Sequence, residues 1–205
     1  MKAAKARKVV DKRAAIIDAA VTLFAHRGFY GTTVPEIAQA AGIATGSIYL
    51  YFKTKEQLVN AALTERKQGM LDTLVAAAGA GGDFEARFRR VWRQLVAYAV
   101  AHPADFLFFE MHHHAGYIEP ATRAAGDRIM AVAVDFVREV TATQDVASPG
   151  PEALVSLVWG ALVGLLKAAD QKYLRLDPQL VEAAGLVLWR AVGGRSSSAS
   201  ERISP

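Results

Sequence analysis

Apolar residues recur along this chain at spacings of three and four, the period of a helix with one buried face. Ile16, Ala20, Leu23 and Phe24 form the first such stripe, and Gly28 follows as a stop signal. Thr33-Val34-Pro35-Glu36 reads as a capping box opening a second helix that runs to about Ala41, where Gly42 permits a sharp turn. A third short helix carries Ile48 and Phe52 on its inner face. A fourth opens at a second box, Thr54-Lys55-Glu56-Gln57, and continues towards Ala78. Gly79-Ala80-Gly81-Gly82 breaks the chain, and Asp83 is placed to cap the next helix. Phe84, Phe88, Val91, Leu95, Tyr98 and His102 make one stripe that ends at Pro103, and a shorter helix covers about 104–115. A longer helix spans about 120–143, with Ile129, Val132, Ala133, Phe136 and Val140 as its apolar face. Two segments, about 151–170 and 178–192, are apolar on more than one face. No run alternates with period two over a useful length, so the pattern predicts an all-α fold.

Composition narrows the class. The 205 residues are 52% apolar and 21% charged, which suits a folded chain with a sizeable core. The absence of cysteine excludes disulfides, thiol nucleophiles and thiolate metal sites. The longest apolar stretch, Ala153 to Leu166, is short for a membrane span, and the basic N-terminus has no signal-peptide apolar core. A cytoplasmic protein is expected, nucleoid-associated when bound to DNA. The formal charge of +4 is unevenly placed. Residues 1–67 hold 11 Lys or Arg against 5 Asp or Glu, a net of +6, whereas residues 68–205 are net −2. Such asymmetry points to a polyanionic partner for the N-terminal third.

Within that basic third, Thr33 to Phe52 forms a helix, a glycine-containing turn and a second helix, with Ile37, Ile43 and Ile48 as a miniature core and small Ala38 where the helices cross. This is the arrangement of a DNA-binding helix-turn-helix, whose second helix enters the major groove. Centring the buried face on Ile48 puts Gly46 and Leu50 near the opposite side, flanked by Ser47 and Tyr49. Gly46 lets the backbone approach a duplex closely. Ser47 can bond a base edge or a phosphate, and Leu50 offers van der Waals contact to a thymine methyl.

Ile17-Asp-Ala-Ala-Val-Thr-Leu-Phe24, Gly28-Phe29, Thr32-Thr33-Val34, Ile37-Ala38, Ala41-Gly42-Ile43, Gly46-Ser47-Ile48-Tyr49, Tyr51-Phe52 and Lys55-Glu56 together resemble the signature of TetR-family transcriptional regulators, over about residues 13–60 without a gap. The resemblance implies a three-helix DNA-binding domain, a helical ligand-binding and dimerisation domain, and a homodimer on a palindromic operator that an inducer releases. It implies the helix-turn-helix domain at 14–60 and a ligand-binding and dimerisation domain at 61–193, while charge marks a basic arm at 1–13 and Ser-rich composition predicts a disordered tail at 194–205. Thr33, Tyr49 and Lys55 match family positions that contact phosphate, and Tyr51 is placed to reach a base edge, the backbone or the core. Ala44 departs from the family's usual Ser or Thr, so one polar contact is missing or Thr45 supplies it. The basic arm is expected along the backbone or in the neighbouring minor groove.

Leu154, Val158, Leu162 and Leu165, with Leu186 and Trp189, are expected at a two-fold four-helix interface, where Gly160 and Gly164 would admit a close backbone. An inducer pocket is expected from Trp92, Phe109, His113 and Trp159, which join apolar area to a few polar handles, and suits a small, largely apolar effector. Three adjacent imidazoles, His112 to His114, splay by about 100° each on a helix and cannot converge on one ion, so no metal site is expected and the run reads as a polar patch. Glu110 with His113 offers only a two-ligand spacing. No phosphate loop, nucleophile elbow or His-Glu-x-x-His run is present, so neither an enzyme nor a cofactor is expected. The alternative is a DNA-bound chromosome-organising or protein-interaction factor without a small-molecule switch.

Overall fold

A computed structural model describes residues 2–112, 115–141 and 149–192, with side chains from Lys12 onward in those stretches except at Val140. All regular structure among them is helical: α1 (Lys2–Arg27), α2 (Val34–Ala40), α3 (Thr45–Ile48), α4 (Lys55–Gly79), α5 (Phe84–Ala101), α6 (Pro103–His112), α7 (Pro120–Thr141), α8 (Pro151–Asp170) and α9 (Pro178–Ala191). The N-terminal basic arm is the first part of α1 and not a separate extended segment. The expected tail at 194–205 lies outside the described residues.

Local chemistry sets the helix ends. Thr33 and Glu36 form the reciprocal capping box: the Thr33 hydroxyl accepts from the Glu36 amide, while the Glu36 carboxylate accepts from the Thr33 amide at 2.9 Å. At α4 the Thr54 hydroxyl accepts from the Gln57 amide, but the Gln57 side chain reaches the Lys53 amide, one residue earlier than a standard box. Asp83 and Asp177 accept from the amides of Ala86 and Leu180 to cap α5 and α9. Gly28 and Gly42 take φ of 70° and 68°, the left-handed conformation that ends α1 and turns α2 into α3.

Two compact units emerge. One comprises Met1–Gly69 with His102–Gly126, the other Met70–Ala101 with Asp127–Pro205. These units cut the chain differently from the sequence-based partition at residue 60, because α6 packs along α1 and so joins the N-terminal unit. Within that unit Ile16, Ala20, Phe24, Ile37, Ile48, Leu58, Val59 and Phe108 are fully buried. Arg66 ties its helices by charge, pairing with Asp18 of α1 and with buried Asp105 of α6.

In the other unit α5 packs on α9 around Phe88, Val137, Leu154, Trp189 and Val192. Trp92 is buried and its indole N–H donates to the Val181 carbonyl at 2.8 Å. Arg87 lies over the rings of Phe84 and Phe136 while bonding Glu139. α8 differs from its neighbours: an 18-residue window with mean hydropathy 1.6 is only 11% buried. That length and composition would also cross a membrane.

Candidate nucleic-acid interface

The N-terminal unit builds a rigid base and pushes a few side chains off it. α2 sets Ile37 and Ala38 inward and α3 adds Ile48, all essentially without exposure. With Ile48 and Phe52 fixed in the core, the 100° step forces the next residues outward. Leu50 is 78% exposed and Tyr49 45% exposed, two adjacent large side chains on the same side of the turn. Gly46 is exposed beside them, and Ser47, Thr45 and Tyr51 are half-buried. The expected orientation about Ile48 is therefore the observed one. α3 itself is a single turn: Tyr49 is its C-cap, and the amides of Tyr51 and Phe52 both reach back to the Ile48 carbonyl at 2.9 Å. Ala44 gives α3 no side-chain cap, and Thr45 does not replace it, since Thr45 is already the first helical residue.

Two expected phosphate ligands have prior engagements. The Thr33 hydroxyl donates to the Glu36 carboxylate at 2.7 Å. That bond is the main reason the Glu36 carboxyl sits below its usual range, helped by the Thr33 amide and by Arg27. The Lys55 ammonium donates to the carbonyls of Phe29 at 2.8 Å and Thr32 at 2.9 Å, and lies 4.2 Å from the centroid of the Phe29 ring. A lysine has three N–H donors, so these bonds leave one for a further partner. Lys55 thus braces the turn between α1 and α2.

Other residues of this surface were not anticipated from the sequence. Lys53 lies beside Tyr49, its ammonium donating to the Tyr49 carbonyl at 3.3 Å; its signal was a second cation in the short turn before Lys55. Tyr30 is 86% exposed in the α1–α2 turn, set edge-on against Phe29 with centroids 5.3 Å apart. Its signal was a second aromatic residue, after Phe29, between Gly28 and Gly31.

The polar-patch reading of the histidine run fails for His112. That ring is buried, edge-on to Phe24 and to Phe108, and its Nδ1 shares a close hydrogen bond with the Tyr117 hydroxyl. Burial lowers the His112 pKa below its usual 6.5, opposed by the Phe24 carbonyl, and raises that of Tyr117. His113 and His114 lie outside the described residues. Among the described residues no group of three or more His, Asp or Glu is placed to hold a metal ion.

Trp92, expected in a pocket, is buried between α5 and α9, where a methyl-sized addition at Gly185 would come within 2.7 Å of its ring. Phe109 is also buried, beside Phe106 and Phe108, and Trp159 is half-buried in the other unit. An open groove of about 440 Å3 does lie between α5 and the start of α9, lined by Arg93, Val96, Val100, Leu176 and Val181, and it includes none of these aromatics. Leu154, Leu162 and Trp189, expected at the interface, are buried within this chain, Leu154 and Trp189 beside Phe88 and Val137. Val158, Leu165 and Leu186 are half-buried, and the apolar groups left open are Leu157 at 58% and Val187 at 64%.

The profile of bacterial regulatory proteins of the tetR family matches residues 16–62, and that of the tetracyclin repressor-like C-terminal domain matches residues 66–193. The chain belongs to the TetR family. The family's two parts thus account for nearly all of α1 to α9. The HTH-type transcriptional repressor KstR2 of Rhodococcus jostii is 48% identical over 63 residues, 31% of this chain and 29% of that protein. The fatty acid metabolism regulator protein of Bacillus subtilis is 47% identical over 51 residues, 25% of this chain and 26% of its own. The chain spans about a third or less of the length of these curated relatives. A TetR-family structure from Marinobacter aquaeolei superposes with a TM-score of 0.83 at 25% identity, covering 92% of this chain and 99% of the other. The Bacillus subtilis FadR structure in complex with stearoyl-CoA superposes at 0.68 and 19% identity, a likeness of fold.

Proposed function

We propose that the protein is a TetR-family repressor that binds a palindromic operator as a homodimer and is released by a small, largely apolar effector. The observation that carries the DNA reading is the outward display of Leu50 and Tyr49 on a base fixed by Ile48 and Phe52. An exposed leucine beside an exposed tyrosine, in a chain whose basic excess lies in the same third, is costly in water and useful in a groove. Ser47, Leu50 and the bare Gly46 backbone read base edges. Tyr49 and Thr45 hold phosphates, with the third donor of Lys55; Thr33 takes one by exchanging its hydroxyl's bond to Glu36, and Tyr51 serves the core and the backbone. Phosphate contacts position the protein and base contacts specify the sequence.

The homodimer reading rests on α8 and α9. Leu157 and Val187 stand open, flanked by half-buried Val158, Leu165 and Leu186, on helices too apolar for a water-facing surface. Exposed Gly160 and Gly164 leave room for a second helix on the same face. KstR2 is named a repressor, which supports repression, and FadR is seen with stearoyl-CoA, whose acyl chain supports an effector with a long apolar part.

Selection of duplexes from a randomised library by the purified protein tests this reading. A two-fold symmetric motif is expected, with base preference altered by Leu50→Ala and affinity for all sequences lowered by Tyr49→Phe. Leu157→Glu should convert the dimer to monomer in sedimentation and abolish tight operator binding. A motif without symmetry, or an unaltered sedimentation profile for Leu157→Glu, would refute the corresponding half of the proposal.

A further inference from the structure

The inner stripe of α4 reads Leu58, Val59, Ala62, Leu63, all buried, and among them stands a carboxamide, Asn60, only 4% exposed. A leucine would satisfy the packing of such a face better than an amide, so the polar group marks a place where a local rule is broken for a reason. Asn60 has two N–H donors and a carbonyl acceptor, and all three groups are used. Nδ2 donates to the Glu56 carbonyl of its own helix at 2.8 Å and to the Tyr117 carbonyl at 2.9 Å, while Oδ1 accepts from the Glu119 amide at 2.8 Å. Two of these bonds therefore pin the backbone of the turn between α6 and α7 to α4.

What that turn carries is Tyr117. Its ring stacks on Phe29 with centroids 4.0 Å apart, its edge meets Tyr30, and its hydroxyl is held by His112. Phe29 in turn carries the Lys55 ammonium, which grips the Phe29 and Thr32 carbonyls immediately before the Thr33 cap of α2. The contacts are contiguous from Asn60 to the first residue of the helix-turn-helix, and every residue belongs to one compact unit.

We infer that Asn60 and Tyr117 are positioning residues for DNA binding: they clamp the α6–α7 turn against α4, so that the Tyr117 ring fixes the α1–α2 turn and with it the start of α2. The inference rests on the phosphate contacts proposed at Thr33 and Tyr49. Tyr117 is half-buried, so its replacement spares the core, whereas Asn60 is enclosed; Tyr117→Leu is the main variant and Asn60→Leu the second. Tyr117→Phe, which keeps the ring and drops the hydroxyl, is the conservative rescue.

Two measurements are made on the full chain. Amide hydrogen exchange is followed at Gly28 and Thr32, whose N–H groups bond the carbonyls of Phe24 and Phe29 within the turn. Affinity is measured for a duplex that the unaltered protein selects from a randomised library. Tyr117→Leu and Asn60→Leu should speed exchange at Thr32 while leaving the middle of α1 protected, and should weaken binding by about tenfold with the same base preference, the loss of about one phosphate contact. Tyr117→Phe should match the unaltered protein in both. Unchanged exchange at Thr32 in Tyr117→Leu overturns the clamp. Faster exchange with undiminished affinity overturns the positioning role, and a loss of affinity in Tyr49→Phe then separates that result from failure of the phosphate reading. Loss of affinity in Tyr117→Phe equal to that in Tyr117→Leu also overturns it, since the ring would then not be the acting part.

Discussion

Lys55→Met separates a brace from a DNA ligand, because the two roles make opposite predictions about the protein without DNA. Methionine keeps the length and apolar stem of the side chain and deletes only the charge and its donors. The ammonium now gives two hydrogen bonds to carbonyls, at 2.8 and 2.9 Å, and a ring contact at 4.2 Å. Hydrogen bonds to a charged group are worth roughly 1.5–3 kcal/mol each and an exposed cation–π contact roughly 0.5–1. Lys55 is only half-buried, so water screens these terms and the lower bounds apply. Against them stands the relief of a cation removed from the first residue of α4, where the helix dipole disfavours it by roughly 0.5 kcal/mol. The balance is a destabilisation of about 3 kcal/mol. For a chain of this size that lowers Tm by roughly 6–12 °C. Scanning calorimetry without DNA measures it. A parallel titration should show weaker DNA binding and a salt slope reduced by about one. An unchanged Tm with weakened DNA binding would refute the brace and leave Lys55 a phosphate ligand alone. A lowered Tm with an unchanged salt slope would refute the ligand role instead.

Gly185→Ala should destabilise the protein by about 1–2 kcal/mol, since the overpacking of roughly 1–3 kcal/mol against a rigid indole exceeds the roughly 1 kcal/mol of helix propensity gained. The added carbon would sit 2.7 Å from Trp92 Cδ1 and 3.3 Å from Nε1, and denaturant unfolding followed by tryptophan fluorescence would show equal or greater stability if that fit were loose. Stability should also fall as pH drops below about 6.5. The buried His112 has a pKa lowered from 6.5, so over that window the unfolded chain binds a proton that the native state does not. His112→Phe should flatten the fall in Tm between pH 7.5 and 5.5, and parallel slopes for the two proteins would refute the assignment.

Much of the surface around α3 was legible because its determinants are local. A capping box needs only Thr33 and Glu36 three residues apart, and the 100° step about Ile48 decides by itself that Gly46, Tyr49 and Leu50 face outward. The motif from Ile17 to Glu56 carried the family for the same reason, since short helices and a tight turn leave each position one environment. Pattern could not say which of several apolar faces a helix buries within its own chain. Leu154, Leu162 and Trp189 look like Leu157 and Val187 in the sequence, yet the first three are buried, Leu154 and Trp189 beside Phe88 of α5 and Val137 of α7, while the last two stand open. Trp92 was expected to line a pocket from its residue type alone, and only its bond to Val181 and its fit on Gly185 show it packed between α5 and α9.

The sequence by itself determined the all-helical fold, the helix ends and the display of the recognition turn, because each follows from interactions within about four residues. Only the tertiary structure decided the partners separated by tens of residues. It placed α6 against α1, set Lys55 on carbonyls 23 and 26 residues away, and brought Asn60 to Tyr117 across 57. Those pairings depend on how helices cross, and a helical period fixes which residues share a face but not which other face comes to meet it.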